Sequence, residues 1–367
     1  MRILIACDSF KDALSADGVC RAIAKGIIAT HPGAETIEMP LSDGGEGVLD
    51  IMRRTLSLKS VTLKVSDPLG RLVKASYGLS GDGATALVEM AEASGLQRLT
   101  LEERNPLLTS TFGTGQLLAD ARNWGATRAL LAIGGSATTD AGIGMAAALG
   151  WQFLDAKGEA VNPQGGRMLD IARIVPPREM PFAQAEVLCD VTNPLYGPNG
   201  AAWVYGRQKG GNDQSLAQLD AGLRHIAGLV EKETGRKGLA ELPGAGAAGG
   251  LGFGGLAFLN ATLKRGIEMV MDMVGFDQAA ARADLIITGE GHIDGQSGHG
   301  KLIQGVCARA GRVPVIALCG KLSAGPAEIA AIGLMAAYSI NAVERPLAEM
   351  LAATAENLEK TAAKLPL

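Results

Sequence analysis

At 367 residues and 47% hydrophobic content the chain can bury sizeable cores, and two domains are the default at this length. A formal charge of −4 with no basic stripe, and aromatics at 4%, argue against nucleic acid and for a small-molecule partner. Glycine is the outlier: its 50 residues follow no strict period and sit among apolar runs, which excludes collagen and argues against disorder.

In chain order, residues 3–7 form a short apolar run suited to a buried parallel strand. The run is too short for a signal peptide and leads straight into Asp8 and Lys11, so a cytoplasmic protein is expected. Residues 16–29 read as a helix with Val19, Ala22, Ile23 and Ile27 on one face and Ser15 as N-cap. A strand over 36–41 and a helix over 48–54 complete a βαβα opening. The texture then changes. Strands at 61–65, 73–79 and 85–90, joined by Asp67-Pro68-Leu69-Gly70 and Gly81-Asp82-Gly83, imply an antiparallel meander. A helix at 115–123, a strand at 128–133, a helix at 141–149, a strand at 186–191 and a polar helix at 215–233 follow. The uncharged stretch 244–262 contains seven glycines and reads as a loop plus a close-packed helix, not a membrane span. Strands at 285–288, 313–318 and 334–339 alternate with helices near 301–310, 326–331 and 346–364.

Two strands at the start and three at the end make five parallel strands. The expected fold class is therefore α/β: a flavodoxin-like doubly wound sheet, possible order 2-1-3-4-5, built from residues 1–60 and 283–367, with a mixed α/β domain of residues 61–282 inserted. In such a sheet the ligand crevice lies at the carboxyl ends of the strands.

Several of those strand ends carry glycine and acid together. Asp8, Ser9 and Lys11 follow the first strand; an Asx-type turn closed by Lys11 accounts for them equally well. Asp43 and Glu46 flank glycines after the second. Gly134, Gly135 and Ser136, then Thr138, Thr139 and Asp140, offer successive amides and hydroxyls to an anion, although a capped strand-to-helix turn has the same composition. Asp190 ends another buried run and Asn193-Pro194 turns the chain, an oxygen-donor pair suited to Mg²⁺ or a substrate hydroxyl, or to structural use. A last loop holds Glu290, His292 and Asp294. Glycine lets amides approach an anion closely while carboxylates hold a metal or accept a proton, so the loops together describe a phosphoryl-transfer site.

Two nucleotide signatures fail on context. Gly244 to Gly249 matches G-x-G-x-x-G, but no buried strand precedes it, which weighs against a dehydrogenase. Gly295 to Leu302 resembles a Walker loop, yet Leu302 stands where Ser or Thr would meet Mg²⁺; a glycine loop opening a helix with Lys301 in its first turn can still hold an anion. Five cysteines with no C-x-x-C pair fit reduced thiols, and four histidines make a histidine metal cluster improbable.

Eight segments in register resemble the bacterial glycerate kinases of the type that includes the glycerate 2-kinases: Asp8 to Lys11, Asp43 to Gly47, Ala93 to Leu96, Thr111 to Gly115, Gly134 to Thr138, Cys189 to Leu195, Gly244 to Gly250, and Gly289 to Gly291 with Ile293-Asp294. The resemblance implies ATP- and Mg²⁺-dependent phosphorylation of D-glycerate, on a two-domain fold with one α/β domain inserted in another. Cys7, Thr139, Ala141, Arg207 and His292 depart from the family's usual proline, asparagine, glycine, proline and arginine. Where that arginine would meet an anion, His292 gives a weaker, pH-sensitive contact.

The expectation is a glycerate kinase working in an interdomain cleft, with the 2-hydroxyl as acceptor. A 3-phosphoglycerate product, a related sugar acid, or a non-catalytic sugar-acid sensor are the alternatives. Asp190, Lys11 and Asp43 are the expected catalytic residues, Asp190 and Asp43 also serving the metal. Gly134, Gly135, Ser136, Thr138, Thr139 and Lys301 are expected on ATP; Asp8, Ser9, Asn193, Glu290, His292 and Asp294 on the substrate. No nucleic-acid or membrane partner is expected, and a homo-oligomer is compatible with the sequence.

Overall fold

The computed structural model describes residues 1–10, 13–42, 48–293, 301–341, 343 and 346–367. Its strands, in chain order, are β1 (Arg2–Cys7), β2 (Glu35–Glu38), β3 (Lys59–Ser66), β4 (Leu72–Leu79), β5 (Thr85–Glu89), β6 (Arg128–Ala132), β7 (Gln152–Leu154), β8 (Arg173–Val175), β9 (Gln184–Leu188), β10 (Thr262–Lys264), β11 (Leu285–Ile293), β12 (Val315–Leu322) and β13 (Ala336–Ser339). The chain divides into two compact units, Met1–Thr55 with Arg265–Leu367, and Leu56–Lys264. The units part at 55/56 and 264/265, against 60/61 and 282/283 expected from sequence.

The first unit carries a five-stranded sheet in the order β13-β12-β11-β1-β2, every pair parallel. Counted within the unit, that order is 2-1-3-4-5. β1 lies inside the sheet, between β11 and β2, and Ile3, Leu4, Ile5, Ala6 and Cys7 are all fully buried, the continuous apolar run that a strand covered on both faces requires. Ser15 caps helix Ala16–Thr30 by accepting from the Gly18 N–H at 3.3 Å. That helix buries Val19, Ile23 and Ile27 and lies against helix Thr354–Ala362 so closely that a Cβ on Gly26 would stand 2.2 Å from the Glu359 carbonyl. Helices Gly266–Val274 and Phe276–Ala280 belong here too, because Arg309 of helix Lys301–Arg309 bonds Asp272 and Asp277 at 2.7 Å each.

In the second unit, the sheet order is β10-β9-β6-β5-β4-β3. β3, β4 and β5 are antiparallel neighbours, as the turn signals demand, while β5, β6, β9 and β10 run parallel. The first turn is locked by Asp67, whose buried carboxylate accepts from the amides of Leu69 and Arg71 at 2.9 Å each and from the Arg71 guanidinium at 2.6 Å. Across the parallel strands Glu186 of β9 binds Lys264 of β10 at 2.6 Å and Arg128 of β6 at 2.5 Å, and both cations hold its carboxyl below the usual range against the cost of burial. One core packs on this sheet through Val88, Leu131, Val187 and Leu251. A second centres on Phe258, met edge-on by Trp151, Phe153 and Phe253 at 5.0, 5.7 and 6.4 Å between ring centres. Among the described residues no helix is long and apolar enough to cross a membrane.

Candidate functional site

In the second unit the parallel strands β5, β6 and β9 end at one edge, since Glu89 is level with Ala132 and Ala132 with Leu188. The three segments that follow are tied to one another. The loop after β6 lays Ser136 beside Gly95 as a bridge, Leu96 N–H donates to Gly135 O, and Ala137 N–H to Ser94 O, both at 2.9 Å. Ser94 and Thr114 exchange a hydroxyl bond at 2.8 Å, so the segments 93–96, 111–115 and 134–138 form one network.

Within that network the glycines and the hydroxyls part company. Gly134 and Gly135 are exposed, and Gly135 takes a left-handed φ of +74° that turns the chain there. Ser136 is nearly buried, and Thr138 and Thr139 are wholly buried with side-chain hydroxyls that find no hydrogen-bond partner. Thr138 and Thr139 therefore present no surface to a ligand in this conformation, and the exposed part of the loop is backbone.

Asp140 is a brace. Its carboxylate accepts from Thr111 N–H (2.7 Å), Thr111 Oγ1 (2.8 Å), Gly142 N–H (3.1 Å) and Gly144 N–H (3.3 Å), with no exposed surface. Burial raises its pKa, and those same bonds oppose the rise. The next residue, Ala141, has a φ of +53°, a left-handed backbone better suited to glycine.

Lys209 was not nominated from sequence. It is 1% exposed and its Nζ donates to Ser136 Oγ at 2.7 Å and Thr138 O at 2.6 Å. Loss of hydration pulls its pKa down to about 7, against the attraction of Asp140. The one signal that could have found it is the segment Gln208-Lys209-Gly210, where a lysine lies between a short turn and a left-handed glycine.

After β9, Asp190 is half-buried. Asn193 is spoken for: its Nδ2 donates to Asn199 O at 2.9 Å, and its Oδ1 accepts from the Tyr205 hydroxyl at 2.6 Å. Its carbonyl also accepts from Gly246 N–H at 2.9 Å, so it fastens the 244–250 segment to the end of β9. That segment enters helix Ala247–Leu259 through left-handed Ala248, Gly249 and Gly250, and not from a strand, so it lacks the Rossmann context. A Cβ on Gly249 would lie 1.9 Å from Thr138 O. Two surface hollows of the unit, about 470 Å³ beside Trp203 and Arg224 and about 270 Å³ beside Asp67 and Pro163, are lined by none of the nominated residues.

In the first unit, Asp8 and Ser9 follow β1 at the level of Gly289, with Asp8 N–H donating to Gly289 O at 2.9 Å. The Asp8 carboxylate accepts from the adjacent Ser9 N–H at 2.6 Å. β11 continues past that point, so Glu290 pairs with Cys319 and His292 with Lys321 on β12. His292 Nε2 lies 2.9 Å from Ser323 Oγ. The Cys319 thiol is pushed up to about 12 by burial and, secondarily, by Glu290, so it is an inert neighbour. Cys7 likewise is raised by burial and by Cys20. Lys11, Asp43, Glu46, Asp294, the Gly295 to Gly300 loop and the Lys301 side chain lie outside the described residues.

Mg²⁺ bound with a nucleotide asks for one or two carboxylates, the phosphates supplying the rest. Asp190 fits that need by donor chemistry and position at a strand end; among the described residues no cluster of three metal-ligating side chains exists.

Comparison with known proteins completes the description. The model of the glycerate kinase family matches residues 3–366. A glycerate kinase of Bacillus cereus is 42% identical over 99% of this chain and 96% of its own length. One from Halalkalibacterium halodurans is 46% identical over 92% and 90%. The glycerate 2-kinase of Escherichia coli K12 is 42% identical over 93% and 90%. A crystal structure assigned as a glycerate kinase 2 from Salmonella typhimurium LT2 superposes with a TM-score of 0.85 at 40% identity, covering 99% of this chain and 96% of that one.

Proposed function

This chain belongs to the glycerate kinase family and is a phosphotransferase with an alcohol acceptor, and from that premise we propose that it moves the γ-phosphoryl group of ATP to the 2-hydroxyl of D-glycerate. The observation that carries the reading is coverage: the family match spans both units and every described loop above. The 2-kinase name of one relative supports the choice of hydroxyl. We also read the first unit as flavodoxin-like, the two units as the domains of the enzyme, and the cytosol as its place.

Phosphoryl transfer needs positioning and charge neutralisation with little covalent work by the protein. In this reading the exposed amides of Gly134 and Gly135, and Ser136, meet the phosphates; Lys301 is a further candidate cation for the nucleotide. Thr138 and Thr139 act by shaping that loop. Asp190 would hold Mg²⁺, whose charge would offset that of the phosphates, or would receive the acceptor proton; Asp43 is a further candidate for the same role. Asp8, Ser9, Glu290, His292 and Asp294 take the glycerate hydroxyls and carboxylate, and Lys11 offsets charge on the transferred group. Asn193 orients the Asp190 segment through Tyr205.

The test is incubation with ATP, Mg²⁺ and D-glycerate, following ADP by a coupled assay and the product by proton-coupled phosphorus NMR. A 2-phosphate sits on a carbon with one hydrogen and gives a doublet; a 3-phosphate gives a triplet. A triplet refutes the regiochemistry, and absence of ADP refutes the reading as a whole.

A further inference from the structure

Lys209 is a cation in surroundings that disfavour one. It ends the turn Arg207–Lys209, has 1% of its surface exposed, and gives its ammonium to Ser136 Oγ and Thr138 O. The charged groups around it are few. Asp140 faces it from the loop after β6, its oxygens shared among Thr111, Gly142 and Gly144. Arg104 approaches its element with a guanidinium on Gln208 O at 3.3 Å, and Arg207 of the same turn is paired with Asp213. A buried charge gains little stability over an apolar side chain of the same shape, so stability alone does not explain a lysine here.

What the ammonium holds is the loop whose exposed face is Gly134 and Gly135. One side of that loop is pinned by the Gly95 bridge and the Leu96 amide; the other is pinned by Lys209 through Ser136. The Ser136 hydroxyl links the ammonium directly to the residue that follows the exposed Gly134 and Gly135.

We infer that Lys209 is a positioning residue for the nucleotide: it fixes Ser136 and supplies positive charge beneath the Gly134 to Ser136 loop, so that phosphate binding above and proton uptake by Lys209 below are coupled. This rests on the kinase reading and deepens it. An anion on the loop favours the ammonium over the amine, and the linkage is reciprocal, so a protonated Lys209 favours the anion. At pH 8 an amine titrating near 7 is mostly neutral in the free enzyme, and nucleotide binding draws a proton in.

The experiment is calorimetric titration of the full chain with MgADP at pH 8, in two buffers of different ionisation enthalpy, for the native protein, Lys209→Met and Lys209→Arg. The native protein takes up about half a proton or more per nucleotide. Lys209→Met binds MgADP about tenfold more weakly with no uptake, while its KM for D-glycerate stays within about threefold. Lys209→Arg recovers affinity without uptake, because its charge is permanent. Native binding with no proton uptake overturns the inference, as does uptake that survives in Lys209→Met. Equal weakening toward both substrates in Lys209→Met, with native uptake absent, reduces Lys209 to a structural part and overturns it too. If Lys209→Met does not fold, the native proton count decides alone. A native protein that binds no MgADP defeats the kinase reading itself, an outcome distinct from binding without uptake.

Discussion

Replacing Asp140 by alanine should destabilise the second unit without abolishing its fold. The carboxylate accepts four hydrogen bonds, three of them from the backbone amides of Thr111, Gly142 and Gly144. Alanine leaves those three buried donors without an acceptor, and at about 1 kcal/mol or more each the loss is about 3 kcal/mol. Relief from burying a carboxylate works the other way, which is why the lower end of the range per donor is used. Asparagine keeps one accepting oxygen, so Asp140→Asn should fall near half the alanine effect. All three tryptophans, Trp124, Trp151 and Trp203, belong to Leu56–Lys264, so intrinsic fluorescence in a urea titration reports this unit alone. The midpoint should fall in the order native, Asn, Ala with the slope unchanged. An alanine loss under about 1 kcal/mol, or asparagine less stable than alanine, would refute the role of Asp140 as a brace.

Gly249→Ala combines a φ of +69° with a Cβ 1.9 Å from Thr138 O and should prevent folding of the second unit, whereas Gly228→Ala, on an exposed helical site with nothing within 4 Å, should stabilise it by about 0.5–1 kcal/mol; circular dichroism melts of the two check the contrast. Lys209 has a folded pKa of about 7 below its unfolded value of 10.5, so between those limits the unfolded chain binds more protons and stability rises with pH, by up to about 1.4 kcal/mol per unit. Below pH 7 the contribution is flat; urea midpoints from pH 6 to 10 should show the rise in the native protein and lose it in Lys209→Met. Asp190→Asn should lower turnover by at least about a hundredfold with the melting temperature unchanged, and near-native turnover would remove it from the site. Tyr205→Phe frees the Asn193 amide from its 2.6 Å partner and should lower turnover less than Asp190→Asn does, at a cost of about 1 kcal/mol in stability.

Much of the scaffold was legible because its signals are local. β1 shows as five consecutive apolar residues, the capped helix after it as a 3.6-residue stripe behind Ser15, and the meander as three runs punctuated by turn residues. β10 escaped because three residues carry no pattern, and with it went the second boundary: helix Gly266–Val274 joins the first unit through contacts made far away in sequence. β2 stops at Glu38, short of the predicted 41, ahead of Pro40. In the site, backbone positions were easier to read than side chains. Gly134 and Gly135 stand exposed, yet composition cannot tell that Thr138 and Thr139 turn inward or that both ends of the Asn193 amide are occupied. Lys209 was missed for the same reason. A lysine in a loop reads as solvated, and only tertiary packing reveals that it is not.

The pairing of β1 with β11 bears on how the molecule is made. Arg2 bonds Asp284 across 282 residues of chain, and while β2 pairs with β1 from nearby in sequence, the other edge of Ile3 to Cys7 finds its parallel partner in Leu285 to Gly289. A ribosome delivers β1 and its β2 neighbour before Leu56–Lys264, and its β11 neighbour only after the whole of that unit has emerged. Until then five apolar residues wait with an open edge, while the second unit already has every strand it needs. Premature termination after Lys264 but before residue 285 therefore yields a folded interior segment preceded by a sticky strand. Circular permutation that joins the present termini and reopens the chain near residue 264 would bring β11 to β13 ahead of β1 and should shorten that exposure.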